Sequence, residues 1–276
     1  MKTKTIGIIG FGNMGSAIAG RIKSKFKIFV FDKDKNKTNH LSGIKAAQSS
    51  ADLADLVEVV VLATKPQDFD FVLDEIKSAV TGKLVISIAA GITTAYIEKY
   101  LKQARVVRVM PNLPAKFGLG ISCIAKGKSA LDKDLRLAEE IFKRVGKTLL
   151  IGEDLMNAAT AVSGSGPGFY FDFIEAKQDK SSRNREGVLK EFILKLSAAA
   201  QKLGFSSSQA QILANTTAKA SEFMVVHSKA LPSELKKQVV SKGGTTEAGL
   251  EVLHRGGSLE DAVKAAKRRA EELSRK

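Results

Sequence analysis

In 276 residues the sequence has one cysteine, Cys123, no tryptophan, three tyrosines and three histidines. A single cysteine excludes an intramolecular disulfide and a clustered thiolate site, and no metal is expected. Its neighbours, Gly120, Ile121 and Ser122 on one side and Ile124 and Ala125 on the other, read as a buried strand, with Cys123 a small core residue. No apolar run approaches the roughly 20 residues that span a bilayer, and the start MKTKTIGIIG lacks the long apolar region of a signal peptide. A cytoplasmic protein with no membrane partner is expected. The formal charge is +15, yet the Lys and Arg residues spread over the whole chain, and no basic run carries interleaved aromatics. That argues against a nucleic-acid module and for a solvated basic surface that attracts small anions.

What is present is enough apolar residue, 44% of the chain, to bury a large core. Residues 6–9 form a short apolar run that leads into Gly10-x-Gly12-x-x-Gly15, and Met14, Ile18 and Ile22 then mark one face of a helix. Strand, glycine turn and helix in that order point to a dinucleotide site. Gly10 permits the bend, Gly12 lets a pyrophosphate approach the backbone, and Gly15 allows close packing, while the helix N-terminus offers N–H groups to phosphate. A second strand, residues 27–31, ends at Asp32, 17 residues beyond Gly15, where an acidic side chain accepts from ribose hydroxyls and favours NAD over NADP. Lys33, Lys35 and Lys37 follow, and each is placed to meet a 2′-phosphate or simply to be solvated, so NADPH and NADH both stay open.

Strand patterns continue at 58–63, 84–88, 106–109, 121–125 and 148–151, with helices between, and the change of character falls near residue 153. Pro66 suits the first position of a helix. Loops after the carboxyl ends of parallel strands line the ligand crevice, so segments 65–67, 89–93 and 110–115 are expected near a nicotinamide. The cofactor-contacting set is then Gly10, Gly12, Asn13, Met14 and Gly15 in the turn, Asp32 and Lys33 after the second strand, Thr64, Lys65 and Pro66 after the third, Ala90 after the fourth and Asn112 after the fifth. Beyond residue 153 helices dominate, at 154–161, 168–176, 188–203, 207–227, 232–239, 246–254 and 258–273. Two glycine-containing stretches interrupt them, at residues 162–168 and 241–246. The glycine loop Gly243-Gly244-Thr245-Thr246 entering a helix suits capture of a small carboxylate.

The segments GFGNMGSAIA, ATKPQDF, ISIAAGIT, RVMPNLPAKFGLG, AVSGSGPGFYFDFIEA and VVSKGGTTEAGLEVL, in this order over nearly the whole length, resemble the pyrroline-5-carboxylate reductase family. The resemblance implies an α/β fold: a Rossmann-type dinucleotide-binding domain over residues 1–153 and an all-α dimerisation and substrate domain over 154–276. It implies NAD(P)H-dependent reduction of a cyclic imine to L-proline, and a homo-oligomer whose sites are completed at the dimer interface. It also implies that Gly243, Gly244, Thr245 and Thr246 hold the substrate carboxylate, with the Thr246 hydroxyl near the ring nitrogen, and that Ser163 and Ser165 line the site. The histidines fit this chemistry by their placement: His40, His227 and His254 do not follow a strand of the first half. A hydroxyacid dehydrogenase of the His-carboxylate type needs a proton donor there, whereas an iminium substrate already carries its proton. Departures from the family pattern are Lys242 where proline is usual, Leu113 for threonine, Lys229 for an acidic residue, and an insertion at about residues 177–197. These departures support one alternative, a catalytically reduced homologue that binds cofactor as a sensor or assembly partner; a hydroxyacid-dehydrogenase-type oxidoreductase is the other alternative to an imine reductase.

Overall fold

The computed structural model describes residues 3–39, 41–177 and 185–274. His40 and residues 178–184, the polar start of the expected insertion, lie outside the described residues. The chain divides into two compact units, one of Met1–Met110 with Ser122–Glu153, the other of Pro111–Ile121 with Asp154–Arg275.

The first unit is built on an eight-stranded sheet of order β3-β2-β1-β4-β5-β6-β7-β8. Its strands are β1 (Thr5–Ile9), β2 (Lys27–Phe31), β3 (Ile44–Ala46), β4 (Val59–Leu62), β5 (Leu84–Ser87), β6 (Arg105–Met110), β7 (Gly120–Lys126) and β8 (Gly146–Leu150). Strands β1 to β6 pair in parallel, as in the register Ile9↔Phe31 and Ile9↔Leu62. The runs Val59–Leu62 and Leu84–Ser87 are buried at every residue, as β-branched runs covered on both faces must be. Strand β7 turns antiparallel to β6, with Met110 opposite Cys123. Segment 111–119 is too short for the crossover of a dozen or more residues that a parallel return requires. Cys123 is fully buried.

Helices α1 (Asn13–Ile22), α2 (Ser50–Leu56), α3 (Phe69–Ile76), α4 (Thr94–Tyr100) and α5 (Asp132–Phe142) connect these strands. Strand β3 and helix α2 have no counterpart in the sequence reading. The three residues of β3, none of them fully buried, are too few to establish a period, and α2 is fixed by its cap, where the Ser49 hydroxyl accepts from the Asp52 N–H at 3.0 Å.

The second unit is helical: α6 (Met156–Ala159), α7 (Gly166–Lys177), α8 (Arg185–Lys202), α9 (Ser207–His227), α10 (Pro232–Lys237), α11 (Thr245–His254) and α12 (Leu259–Leu273). Helix α7 has Phe169, Tyr170 and Phe171 inaccessible, with α9, α10 and α11 packed around it. The glycine stretch after residue 161 interrupts the helices as a π turn and a bend at Ser165, not as an open loop. Residues 160–164 form a π turn that carries α6 toward α7, with the Ser165 N–H donating to the Thr160 carbonyl five residues back at 2.9 Å. Thr160 and Ser163 hydroxyls donate to the carbonyls of Met156 and Ala159, so the widened turn keeps its polar groups satisfied. Helix α8 starts three residues before its expected beginning. Helix α12 is capped by Ser258, whose hydroxyl accepts from the Asp261 N–H at 3.2 Å. Among the described residues no helix is long and apolar enough to cross a membrane.

Candidate functional site

In the first unit the order of strands reverses between β1 and β4, and the glycine turn after β1 lies at that switch point. Gly10 has φ +95°, and a Cβ there would stand 2.6 Å from the Ala63 carbonyl oxygen. A Cβ on Gly15 would come within 2.1 Å of the Gly10 oxygen, whereas one on Gly12 meets nothing within 4 Å. The three glycines therefore divide as the motif requires: two are crowded by backbone and the middle one faces open space. Helix α1 begins at Asn13 and Met14 with no side-chain cap and no acidic residue in its first turn, which leaves its leading N–H groups for an anion.

Beside Gly12 is a cavity of about 290 Å³, lined among others by Gly10, Asp32, Lys33, Lys37, Thr64 and Lys65. Asp32 is 8% exposed. Its Oδ2 accepts from the Phe11 N–H at 2.7 Å, and its Oδ1 from the Asp34 N–H at 2.9 Å and from Lys37 Nζ at 3.2 Å. Burial pushes the carboxyl pKa up, but these donors outweigh it and hold Asp32 below the ordinary carboxylate value. Lys33 is exposed and paired with Asp68 at 2.8 Å. The hydroxyls of Ser50 and Thr64, which also line this cavity, are buried without a hydrogen-bond partner. A cradle that a Cβ would fill, two orphaned hydroxyls and a fixed carboxylate fit the phosphates and adenosine ribose of a dinucleotide. Lys65 is exposed, Pro66 opens a short 3₁₀ turn, and Ala90 is half-buried in the turn after β5.

In the second unit three hydroxyls meet. Ser165, fully buried at the end of the π turn, shares a hydrogen bond with Thr245 at 3.0 Å and accepts one from Thr246 at 3.1 Å. No histidine, lysine or carboxylate is bonded to this cluster among the described residues. The preceding loop is braced from both sides. The Gly243 N–H donates to Glu247 at 2.6 Å, its carbonyl accepts from Arg269 at 2.7 Å, and the Gly244 N–H donates to the Ser241 carbonyl. Gly243 has φ +68°, the left-handed bend glycine tolerates best. The amides of Gly243 and Gly244, expected from the sequence to face a carboxylate, are thus already bonded, and Thr245 and Thr246 open α11. Ser163 is buried beneath, its carbonyl 3.2 Å from Asn112 Nδ2. Asn112 Oδ1 accepts from the Ile121 N–H at 2.9 Å. Both ends of the Asn112 amide are therefore engaged, one with Ile121 of its own segment and one with Ser163.

A further polar cluster has no sequence signal, because its members are 64 and 82 positions apart. Asp172 on α7 receives Lys236 at 2.7 Å and His254 at 3.0 Å, and Lys236 also reaches Glu175. His227 ends α9, stacked on Phe223. Among the described residues no group of three or more His, Cys, Asp and Glu is arranged to hold a metal.

Two family models match the chain. Residues 5–91 match one described as NADP oxidoreductase coenzyme F420-dependent, and residues 185–273 match pyrroline-5-carboxylate reductase dimerisation. A pyrroline-5-carboxylate reductase of Methanosarcina acetivorans is 36% identical over 289 aligned positions, covering 100% of both chains. A solved pyrroline-5-carboxylate reductase from Coxiella burnetii superposes with a TM-score of 0.66 at 30% identity, again over 100% of both chains. The Plasmodium falciparum pyrroline carboxylate reductase, solved with NADP bound, gives 0.65 at 28% identity over 99% of each. With whole-length relatives at this identity, the chain belongs to the pyrroline-5-carboxylate reductase family.

Proposed function

We infer that the protein is an NAD(P)H-dependent oxidoreductase that reduces pyrroline-5-carboxylate to L-proline. The observation that carries this reading is the make-up of the Thr246 cluster, which consists of hydroxyls and helix-start amides with no titratable group bonded to it. When bound, the reduced nicotinamide supplies a hydride to the imine carbon. The ring nitrogen of an iminium keeps its proton and becomes the neutral amine, so the site needs no general acid. Binding and orientation are the tasks left to the protein, and a buried hydroxyl with fixed N–H groups performs both.

In this reading Thr246 Oγ1 is held by Ser165 and directed at the ring nitrogen, and the N–H groups of Thr245 and Thr246 receive the substrate carboxylate at the positive end of α11. Gly243 and Gly244 shape the approach, Ser163 supports it through Asn112, and Gly10, Gly12, Asn13, Met14, Gly15, Asp32, Lys33, Thr64, Lys65, Pro66 and Ala90 take the cofactor. The protein is a homo-oligomer whose site a second subunit completes, and it acts in the cytoplasm without nucleic acid. Segment 177–197 is an insertion relative to the family. The test is oxidation of reduced nicotinamide cofactor that depends on pyrroline-5-carboxylate and yields proline. Cofactor binding with no turnover on any cyclic imine would overturn the reading in favour of a cofactor-binding partner.

A further inference from the structure

We propose that Asp32 makes this chain prefer NADH to NADPH, and that Lys37 is the cation a 2′-phosphate would have to take from it. The inference rests on the assignment of the cavity beside Gly12 to the cofactor. It runs against the simplest expectation from a match to an NADP oxidoreductase model and from a structural neighbour solved with NADP.

Asp32 follows β2, and its Oδ2 accepts from the N–H of Phe11, the residue between Gly10 and Gly12. The carboxylate is thereby tied to the turn that receives the pyrophosphate, on the side where the adenosine ribose must lie. A carboxylate has about four acceptor sites, and three are engaged here, by Phe11, Asp34 and Lys37. The free site on Oδ2 suits a ribose hydroxyl. With the side chain 8% exposed and pinned by two backbone N–H groups, Asp32 could withdraw from a phosphate in the same place only by leaving both N–H groups without their acceptor.

Of the lysines that line that cavity, Lys33 is paired with Asp68 and Lys37 with Asp32 itself, and Lys65 follows β4, two strands from the end of β2 that carries Asp32. A 2′-phosphate could recruit Lys37 only by removing the counter-charge of Asp32, which would leave a partly buried carboxylate beside a dianion. A ribose hydroxyl breaks neither pair. In the lysine-rich stretch after β2, which in the sequence could equally well have served a phosphate, Lys37 is the residue that neutralises Asp32.

Dissociation constants for NADH and NADPH, measured on the full chain by nucleotide fluorescence without substrate, separate this inference from the proposed reaction. The wild type is expected to bind NADH at least tenfold more tightly. Asp32→Ser is expected to weaken NADH and strengthen NADPH so that the ratio inverts, and Asp32→Ser with Lys37→Met to lose the NADPH affinity gained. Asp32→Asn keeps an acceptor for the Phe11 N–H while removing the charge, and is expected to abolish the preference in a chain whose melting temperature shows it folded. Equal or tighter NADPH binding by the wild type, or a ratio that Asp32→Asn leaves unchanged, overturns the proposal. A wild type that binds neither nucleotide overturns the cofactor assignment as well, and absent imine turnover with the expected ratio leaves this inference standing.

Discussion

Thr246 concentrates the chemistry in one oxygen. Thr246→Val keeps the shape of the side chain and deletes the hydroxyl, so kcat/KM for pyrroline-5-carboxylate is expected to fall by about 1–3 kcal/mol of transition-state stabilisation, roughly 5- to 150-fold, in steady-state kinetics. Rates equal to wild type would remove Thr246 from the reaction. Asp172 shows a different residue-level effect. Burial raises its pKa, hydrogen bonds from Lys236 and His254 outweigh that, and the carboxyl ends below its ordinary value. A depressed pKa contributes stability that is complete above the unfolded value and is lost as pH falls through the folded one. Asp172→Asn is therefore expected to cost about 1–3 kcal/mol at pH 7 by urea denaturation, with the difference from wild type shrinking below about pH 4. Thr245 and Thr246 were legible in the sequence because two glycines precede them on the same chain segment. Asp172, Lys236 and His254 were not, because only tertiary packing brings three different helices together.

At the scale of elements, small residues decide where helices cross. A Cβ on Gly249 of α11 would stand 2.4 Å from the Phe169 ring and 2.8 Å from the Ala262 backbone oxygen of α12. Gly249→Ala is expected to destabilise the fold by about 1–3 kcal/mol, read as a lower urea midpoint. Gly20 supplies the opposite case. It is exposed within α1 and a Cβ there meets nothing within 4 Å, so Gly20→Ala is expected to raise stability by about 0.5–1 kcal/mol. The same physics explains which elements could be read in advance. Val59–Leu62 and Leu84–Ser87 declare themselves because strands covered on both faces must be apolar throughout. The π turn at 160–164 hides, because Gly164 and Gly166 look like a helix break unless one knows that Thr160 and Ser163 bond back to the preceding carbonyls.

Over the whole molecule, the helical unit leaves Phe117, Phe223 and Val226 exposed, with the first two rings 6.2 Å apart and Phe223 and Val226 on one face of α9. Such a face favours association. On the homo-oligomer reading, Val226→Asp is expected to shift sedimentation equilibrium toward monomer at concentrations where the wild type is associated. The division into units, by contrast, has a consequence for how this chain can be rebuilt. The backbone passes between the units at residues 110–111, 121–122 and 153–154; Asn112 Oδ1 closes the middle excursion on its own Ile121 N–H, and Asn112 Nδ2 ties it to the Ser163 carbonyl of the second unit. The halves are thus not exchangeable modules. A hybrid that joins the first 153 residues of a relative to the helices of this chain imports a foreign segment at 111–121, and its folding rests on whether that segment still offers an amide to the Ser163 carbonyl.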